Sequence, residues 1–104
     1  MSLASGYLPY EQAPLYQAES TIRIGSIDLV NGDSGTDSAT VNLWHKPKLS
    51  TATAILKTPL NLELLAGDSF TLDFGDDGLE MKDGDEILGK CSAGTYMFFE
   101  VNGK

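Results

Sequence analysis

The sequence predicts an all-β fold: a two-sheet antiparallel β-sandwich, jelly-roll-like, of about seven or eight strands with an extended N-terminal arm. Three observations carry this prediction. Apolar residues recur with a period of two almost throughout, no stretch carries the 3.6-residue period of an amphipathic helix, and glycine-rich turn signals separate the short apolar runs. A chain of 104 residues fits one domain, which at this size buries roughly two thirds of the unfolded surface without needing a staple.

The first clear strand is "TIRIGSIDLV". Ile22 and Ile24 share one face, whereas Ile27 and Leu29 have the opposite parity, so one extra residue at Gly25-Ser26 is needed to turn all four the same way. That is the sequence pattern of a β-bulge. "NGDSGTDS" follows, rich in residues that tolerate left-handed or self-bonded backbone, and leads into "ATVNLWH" with Val41 and Leu43 on one side. This reads as a hairpin. After Pro47, "AILKTPLNLELL" keeps Leu56, Leu60, Leu62 and Leu64 in one register, with Pro59 marking an edge or a second bulge because it cannot donate to a ladder. "SFTLDF" points Phe70, Leu72 and Phe74 inward; "EILGKC" follows, and "YMFFEVNG" closes the chain with Met97, Phe99 and Val101 on its core side.

Residues 1–13 fall outside this pattern and read as an extended arm ahead of a sandwich domain at 14–104. Pro9 and Pro14 keep the arm extended and deny it a full ladder. Trp44, Tyr96 and Phe98 lie opposite the core side of their strands. Two arrangements account for them: the N-terminal segment covers them, or they form an apolar patch at a subunit interface. The second makes Tyr7, Leu8, Tyr10, Trp44, Tyr96 and Phe98 the candidate interface of a homodimer or homotrimer.

The stretch "GDDGLEMKDGDE" gathers six acids around its glycines. Read as a calcium loop with Gly78 at the sixth position, it has Asp73 at the first and Asp77 at the fifth, but Gly75 at the third and Gly84 at the twelfth. Two ligand positions, including the bidentate carboxylate, are therefore missing. A looser site built from Asp73, Asp76 and Asp77 is the remaining metal reading. The shared grammar of "AGDSF" and "DGDEI", glycine followed by aspartate ahead of a strand, favours turn chemistry, in which glycine supplies a positive φ and aspartate bonds backbone N–H groups. Acids on exposed turns also lack the burial that raises a catalytic carboxyl's pKa.

Fifteen acids against seven bases give a formal net charge of -8, which repels phosphate backbones and argues against nucleic acid. The one basic stretch, Lys46, Lys48 and Lys57 beside Trp44, reads as a solvated loop. His45 and Cys91 are single residues of their kinds, too few for a typical zinc set, and a nucleophile pair would require them to touch. No catalytic residue, metal or cofactor is assigned. No run reaches the about 18 apolar residues of a membrane helix, and the N-terminus lacks a signal-peptide layout, so the expectation is a soluble chain made in the cytoplasm and no membrane partner.

From Pro14 to Gly103 the order of elements resembles the small β-sandwich virion proteins of tailed bacteriophages and prophages. "PLYQAESTIRIGSIDLVN" resembles their opening strand, polar turn and second strand, and "SATVNLW" its partner; "AILKTPLNLELLAGDSFTL" and "LEMKDGDEILGKCSAGTYMFFEVNG" resemble the later segments. The resemblance implies a non-enzymatic structural role, most directly head decoration or capsid stabilisation, with the major capsid or a tail protein as partner. Assembly would take place in the bacterial host cytoplasm and the finished protein would reside in the virion. A tail, baseplate or fibre component, or a host-glycan-binding sandwich with Trp44 or Tyr96 stacking on sugar, is the alternative.

Overall fold

The computed structural model describes residues 1–32, 38–48, 54–92 and 96–104. Among these no helix occurs, and the strands are β1 (Ser2–Tyr7), β2 (Ala13–Gln17), β3 (Ile22–Asn31), β4 (Ala39–Lys46), β5 (Ile55–Leu56), β6 (Leu62–Leu64), β7 (Ser69–Asp73), β8 (Leu79–Met81), β9 (Glu86–Cys91) and β10 (Met97–Gly103). They form two antiparallel five-stranded sheets. One runs β1-β10-β3 with β7 and β8 both on the far side of β3; the other runs β2-β9-β4 with β5 and β6 both on the far side of β4. Ile24, Ile27, Leu29, Met97 and Val101 from the first sheet share a buried cluster with Val41, Leu43, Ile87 and Cys91 from the second. The architecture is sandwich-like, with ten strand segments where about seven or eight were expected.

Two interruptions explain the higher count. β7 and β8 run in the same direction along β3, pairing with Ser26–Val30 and Ile22–Ile24 respectively. Residues 74–78 loop out between them, opposite Gly25, whose carbonyl accepts the Phe74 N–H at 3.0 Å. Along β10 the register also jumps at this point, from Asn102 opposite Ser26 to Gly103 opposite Ile24. Gly25 is thus the extra residue required by the sequence, and the bulge puts Ile24, Ile27 and Leu29 on the core side, each 1% exposed or less.

The second interruption divides "AILKTPLNLELL". Trp44 and His45 pair with Leu56 and Ile55, and Ala39 to Val41 pair with Leu64 to Leu62, which leaves Asn42 and Leu43 facing residues 57–61. Pro59 has no N–H for the ladder, and side-chain bonds bridge the interruption. The Thr58 hydroxyl accepts the Leu43 N–H at 3.3 Å, while Asn42 Oδ1 accepts the Asn61 N–H at 2.8 Å and its Nδ2 donates to Asn61 Oδ1 at 3.0 Å. Asn61 adopts a left-handed φ of 54°. The expected single leucine register therefore fails at Leu60, which lies 73% exposed on the loop.

Other expectations change as well. β3 and β4 belong to different sheets and do not pair, so the chain crosses the sandwich between them and no hairpin forms; residues 33–37 of the presumed hairpin turn lie outside the described residues. Turn-rich residues mark where a chain reverses without specifying whether the next strand joins the same sheet. The segment read as an arm carries β1, paired along β10 from Ser2 opposite Asn102 to Tyr7 opposite Phe98, and Leu8 is buried in the core. Small residues explain its fit: Ala4 and Gly6 face Val101 and Phe99, and a Cβ on Gly6 would rest 3.6 Å from the Phe99 ring. Gly89 leaves the space that Leu8 and Leu15 fill, since a Cβ there would come within 2.7 Å of both.

The side-chain clamp over Pro59 should be measurable. Asn42→Ala should lower unfolding stability by about 1–2 kcal/mol, the scale of a part-buried hydrogen-bond pair, seen as a lower urea midpoint with an unchanged slope. An unchanged midpoint would mean that the clamp does not hold the interrupted edge.

Candidate functional site

Two regions concentrate polar or aromatic chemistry, and they lie on different parts of the molecule. The first is interior. In the turn Lys82–Asp85, the Asp85 N–H donates to the Lys82 carbonyl at 2.9 Å and Gly84 has φ of 90°; the turn Leu65–Asp68, with Gly67 at 82°, is its counterpart. Glycine third in the turn with positive φ is type II geometry, as the repeated glycine-aspartate grammar predicts. Gly84 donates to the Ala18 carbonyl and Ala18 to the Asp85 carbonyl, at 2.8 and 2.9 Å, which ties the turn to the end of β2.

Asp85 departs from the expectation that the acids of this stretch face water. Asp76, Asp77, Glu80 and Asp83 are exposed, but Asp85 is buried, with His45 beside it. Its Oδ1 accepts the Lys48 N–H at 3.0 Å and its Oδ2 the Lys82 N–H at 3.0 Å. His45 Nε2 lies 3.1 Å from Oδ2 and carries the proton, because an ionised carboxylate can only accept. Burial would push the carboxyl's pKa up; the two backbone donors and His45 outweigh it, and the net shift is downward from 3.8. On β2, burial and the charge of Glu19 push the Tyr16 phenol up.

This pair reads as structural. Cys91 lies opposite Val41 and Ile87 opposite His45, so four residues of strand, roughly 13 Å, separate the thiol from the imidazole. The Cys91 thiol instead faces the Leu8 carbonyl at 3.5 Å. Asp73 is used locally, accepting the Gly75 N–H at 2.8 Å. Among the described residues no group of three or more histidine, cysteine or acidic side chains is arranged to hold a metal ion, and no helix is long and apolar enough to cross a membrane.

The second region is the outer face of the β1-β10-β3-β7 sheet. Tyr7, Phe98, Val30 and Ser69 stand opposite one another along one cross-strand row. The Tyr7 and Phe98 rings meet at 4.4 Å with a 38° tilt. Tyr7 is 62% exposed, Phe98 39% and Val30 40%, and Tyr96, also exposed, precedes the same strand. The carbonyl of Tyr96 accepts the Gly32 N–H at 2.8 Å, and a Cβ on Gly32 would strike the Phe98 ring at 2.6 Å. The next row holds Glu100, Asp28 and Thr71. Thr71 Oγ1 donates to Asp28 Oδ1 at 2.7 Å and Asn102 Nδ2 to Asp28 Oδ2 at 3.0 Å. Between the rows runs an open groove of about 380 Å³ with Phe98 and Val30 on one side and Asp28 and Glu100 on the other.

The six residues expected to form an interface thus divide. Tyr7 and Phe98 touch, with Tyr96 nearby in sequence; Leu8 is in the core; Tyr10 is exposed in the connection between β1 and β2. Trp44 lies on the other sheet, half-buried in an outer row formed by Leu56, Trp44, Leu88 and Pro14. Parity identifies the side of a strand that faces away from the core, but β4 and β10 lie in opposite sheets, so their outward aromatics point to opposite sides of the molecule. Val30 and Asp85 were not anticipated. Val30 is signalled by its parity opposite Leu29, Asp85 only by its place after Gly84. No protein-family model and no curated protein matches the chain.

Removing the buried carboxylate should be costly. Asp85→Ala leaves two backbone N–H groups and His45 unpaired and should destabilise the fold by about 3 kcal/mol at pH 7. Because the folded pKa lies below the unfolded one, this contribution is complete above the ordinary carboxylate value of 3.8 and is lost as pH falls through the folded value. Urea titrations at neutral and acid pH should therefore show a gap between the two proteins that narrows toward acid. A gap that widens would contradict an ionised Asp85.

Proposed function

We propose that this chain is a non-enzymatic structural protein of a tailed-phage or prophage virion, a capsid decoration or stabilising protein that associates with its own copies and with the head surface. The observation that carries the reading is the exposed Tyr7–Phe98 ring pair, continued by Val30 across the outer face of one sheet. Large aromatics on a small domain's surface are typical anchors of a protein–protein contact. The structural parts taken by His45, Cys91 and Asp85 support a non-enzymatic role. The sequence resemblance supplies the virion context, with the capsid or a tail protein as partner.

The strand order supports a jelly-roll reading of the sandwich. Counting β5 with β6 and β7 with β8 as single interrupted strands gives eight, in the sheet orders 1-8-3-6 and 2-7-4-5. That is the two-sheet order of a jelly roll, a fold used by capsid domains. A second reading rests on the groove, where an aromatic ring beside carboxylates and hydroxyls matches the apolar face and hydroxyl edge of a sugar. In that case Phe98 would be the stacking residue in place of Trp44 or Tyr96.

Sedimentation at micromolar concentration separates the two. The structural reading expects a wild-type oligomer and a dissociated or much weakened Phe98→Asp variant. A monomeric wild type whose groove amides shift in NMR spectra on adding oligosaccharide would replace it with the glycan reading.

A further inference from the structure

We propose that the free edge of β1 pairs antiparallel with β1 of a second copy, about a two-fold axis beside Gly6, to make one continuous sheet across a homodimer. The proposal rests on the self-association reading and specifies where the contact forms.

The two sheets leave four edges: β1, β2, the interrupted β5/β6 and the interrupted β7/β8. Three carry features that discourage strand addition. β2 contains Pro14 and a register shift before Tyr16. β5 and β6 are split by the Pro59 loop. β7 and β8 are split by residues 74–78 and fringed by Asp73, Asp76, Asp77 and Glu80. β1, "SLASGY", has no proline and no charged side chain, although the chain carries a net charge of -8. Its irregularity lies at the start, between Ser2 and Ala4, which leaves Ala4 to Tyr7 as regular edge. Two copies of so acidic a protein meet with least repulsion along an uncharged strand.

The backbone geometry supplies the register. The Leu8 N–H donates to the Met97 carbonyl on β10. Hydrogen-bonding groups alternate sides along a strand, so those of Gly6 and Ala4 also face β10, while those of Ser5 and Tyr7 face away from it. Both residues are exposed, and among the described residues neither backbone has a partner on that side. An axis at Gly6 sets Ser5 opposite Tyr7 of the second copy and Tyr7 opposite Ser5. Each is a hydrogen-bonded pair that exchanges two bonds. Ser5 and Tyr7 both project from the outer face, being opposite Glu100 and Phe98, so this register keeps outer face with outer face. Moving the axis to Ser5 sets Tyr7 against the irregular Leu3; moving it to Tyr7 sets Ser5 against Pro9, which cannot donate. The pairing is isologous, as a closed dimer requires, and it sets the Val30–Phe98–Tyr7 row of each copy in line with the Ser5–Glu100–Asp28 row of the other, with the two Tyr7 residues diagonal across the axis.

The test uses the full chain. Ser5→Pro deletes the outward N–H without touching a bond to β10, and Ser5→Lys places like charges near the axis. Each should raise the dimer dissociation constant at least ~10-fold, the equivalent of about 1.4 kcal/mol, in sedimentation measurements, with far-ultraviolet spectra unchanged. The Ser5 and Tyr7 amides should become protected from hydrogen exchange as protein concentration rises through that constant. An oligomer in which these two amides exchange freely, or which Ser5→Lys leaves intact while Phe98→Asp dissociates it, overturns edge pairing and leaves self-association standing. A wild type that stays monomeric at 100-fold higher concentration (about 100 µM against 1 µM, ~2.7 kcal/mol) overturns both.

Discussion

Every crossing from one sheet of a sandwich to the other takes the backbone through a region where ladder bonds are not available, and its polar groups must still be satisfied. In this protein one carboxylate meets that requirement at the crossing from β8 to β9. Asp85 gathers the Lys82 N–H from its own turn, the Lys48 N–H from beyond β4 and the imidazole of His45, and its backbone is tied to Ala18 after β2. Three segments distant in sequence thus meet at one residue, its own turn and residues 45–48 through the side chain and Ala18 through the backbone. With no disulfide and no helix among the described residues, the closure of this end of the sandwich depends on it. Asn31 serves the other end, where its buried amide donates to the Leu64 carbonyl and so joins β3 of one sheet to β6 of the other.

Between these closures the layout is governed by where the period of two is broken. The insertion at Gly25 preserves the inward side of β3 across its whole length, and the same position faces the loop between β7 and β8. Its counterpart on the other sheet is the Pro59 loop, bridged by Asn42 and Thr58. Each sheet thus has one edge built from two short segments, and neither edge is a long, flat template for another strand. The interruptions that raise the strand count also leave β1 as the longest uninterrupted and uncharged edge.

How much of this was legible in the sequence follows from what alternation encodes. It records which side of a strand faces the core, so the inward set of β3, β4 and β10 and the bulge at Gly25 could be read directly. It does not record which strand lies alongside, and so "NGDSGTDS" could be taken for a hairpin and Trp44 grouped with Phe98. β1 was hidden because its inward residues are Ala4 and Gly6, selected by the bulk of Phe99 and Val101 across the strand and not by their own hydrophobicity. Asp85 was hidden for a related reason. It shares its turn grammar with Asp68, which lies exposed, and only the approach of β4 distinguishes a buried cap from a solvated one.

The same division bears on function. The aromatics that a linear reading pools into one interface occupy two faces, and the faces differ in kind. Trp44 is half-buried and has a strand on each side, in a row with Leu56, Leu88 and Pro14. Tyr7 and Phe98 pack on each other yet both stay exposed, Tyr7 over most of its surface, at the margin of the sheet beside its uncharged edge. A row that ends at a free edge is incomplete in a way that an interior row is not: its last member, Tyr7, has a neighbour on one side only. A strand added there supplies the missing neighbour and the missing backbone bonds together, whereas a contact on the Trp44 face would supply neither. Under the proposed assembly, the β1 side is the edge whose chemistry suits the contact, with the acidic edge of β7 and β8 left to water.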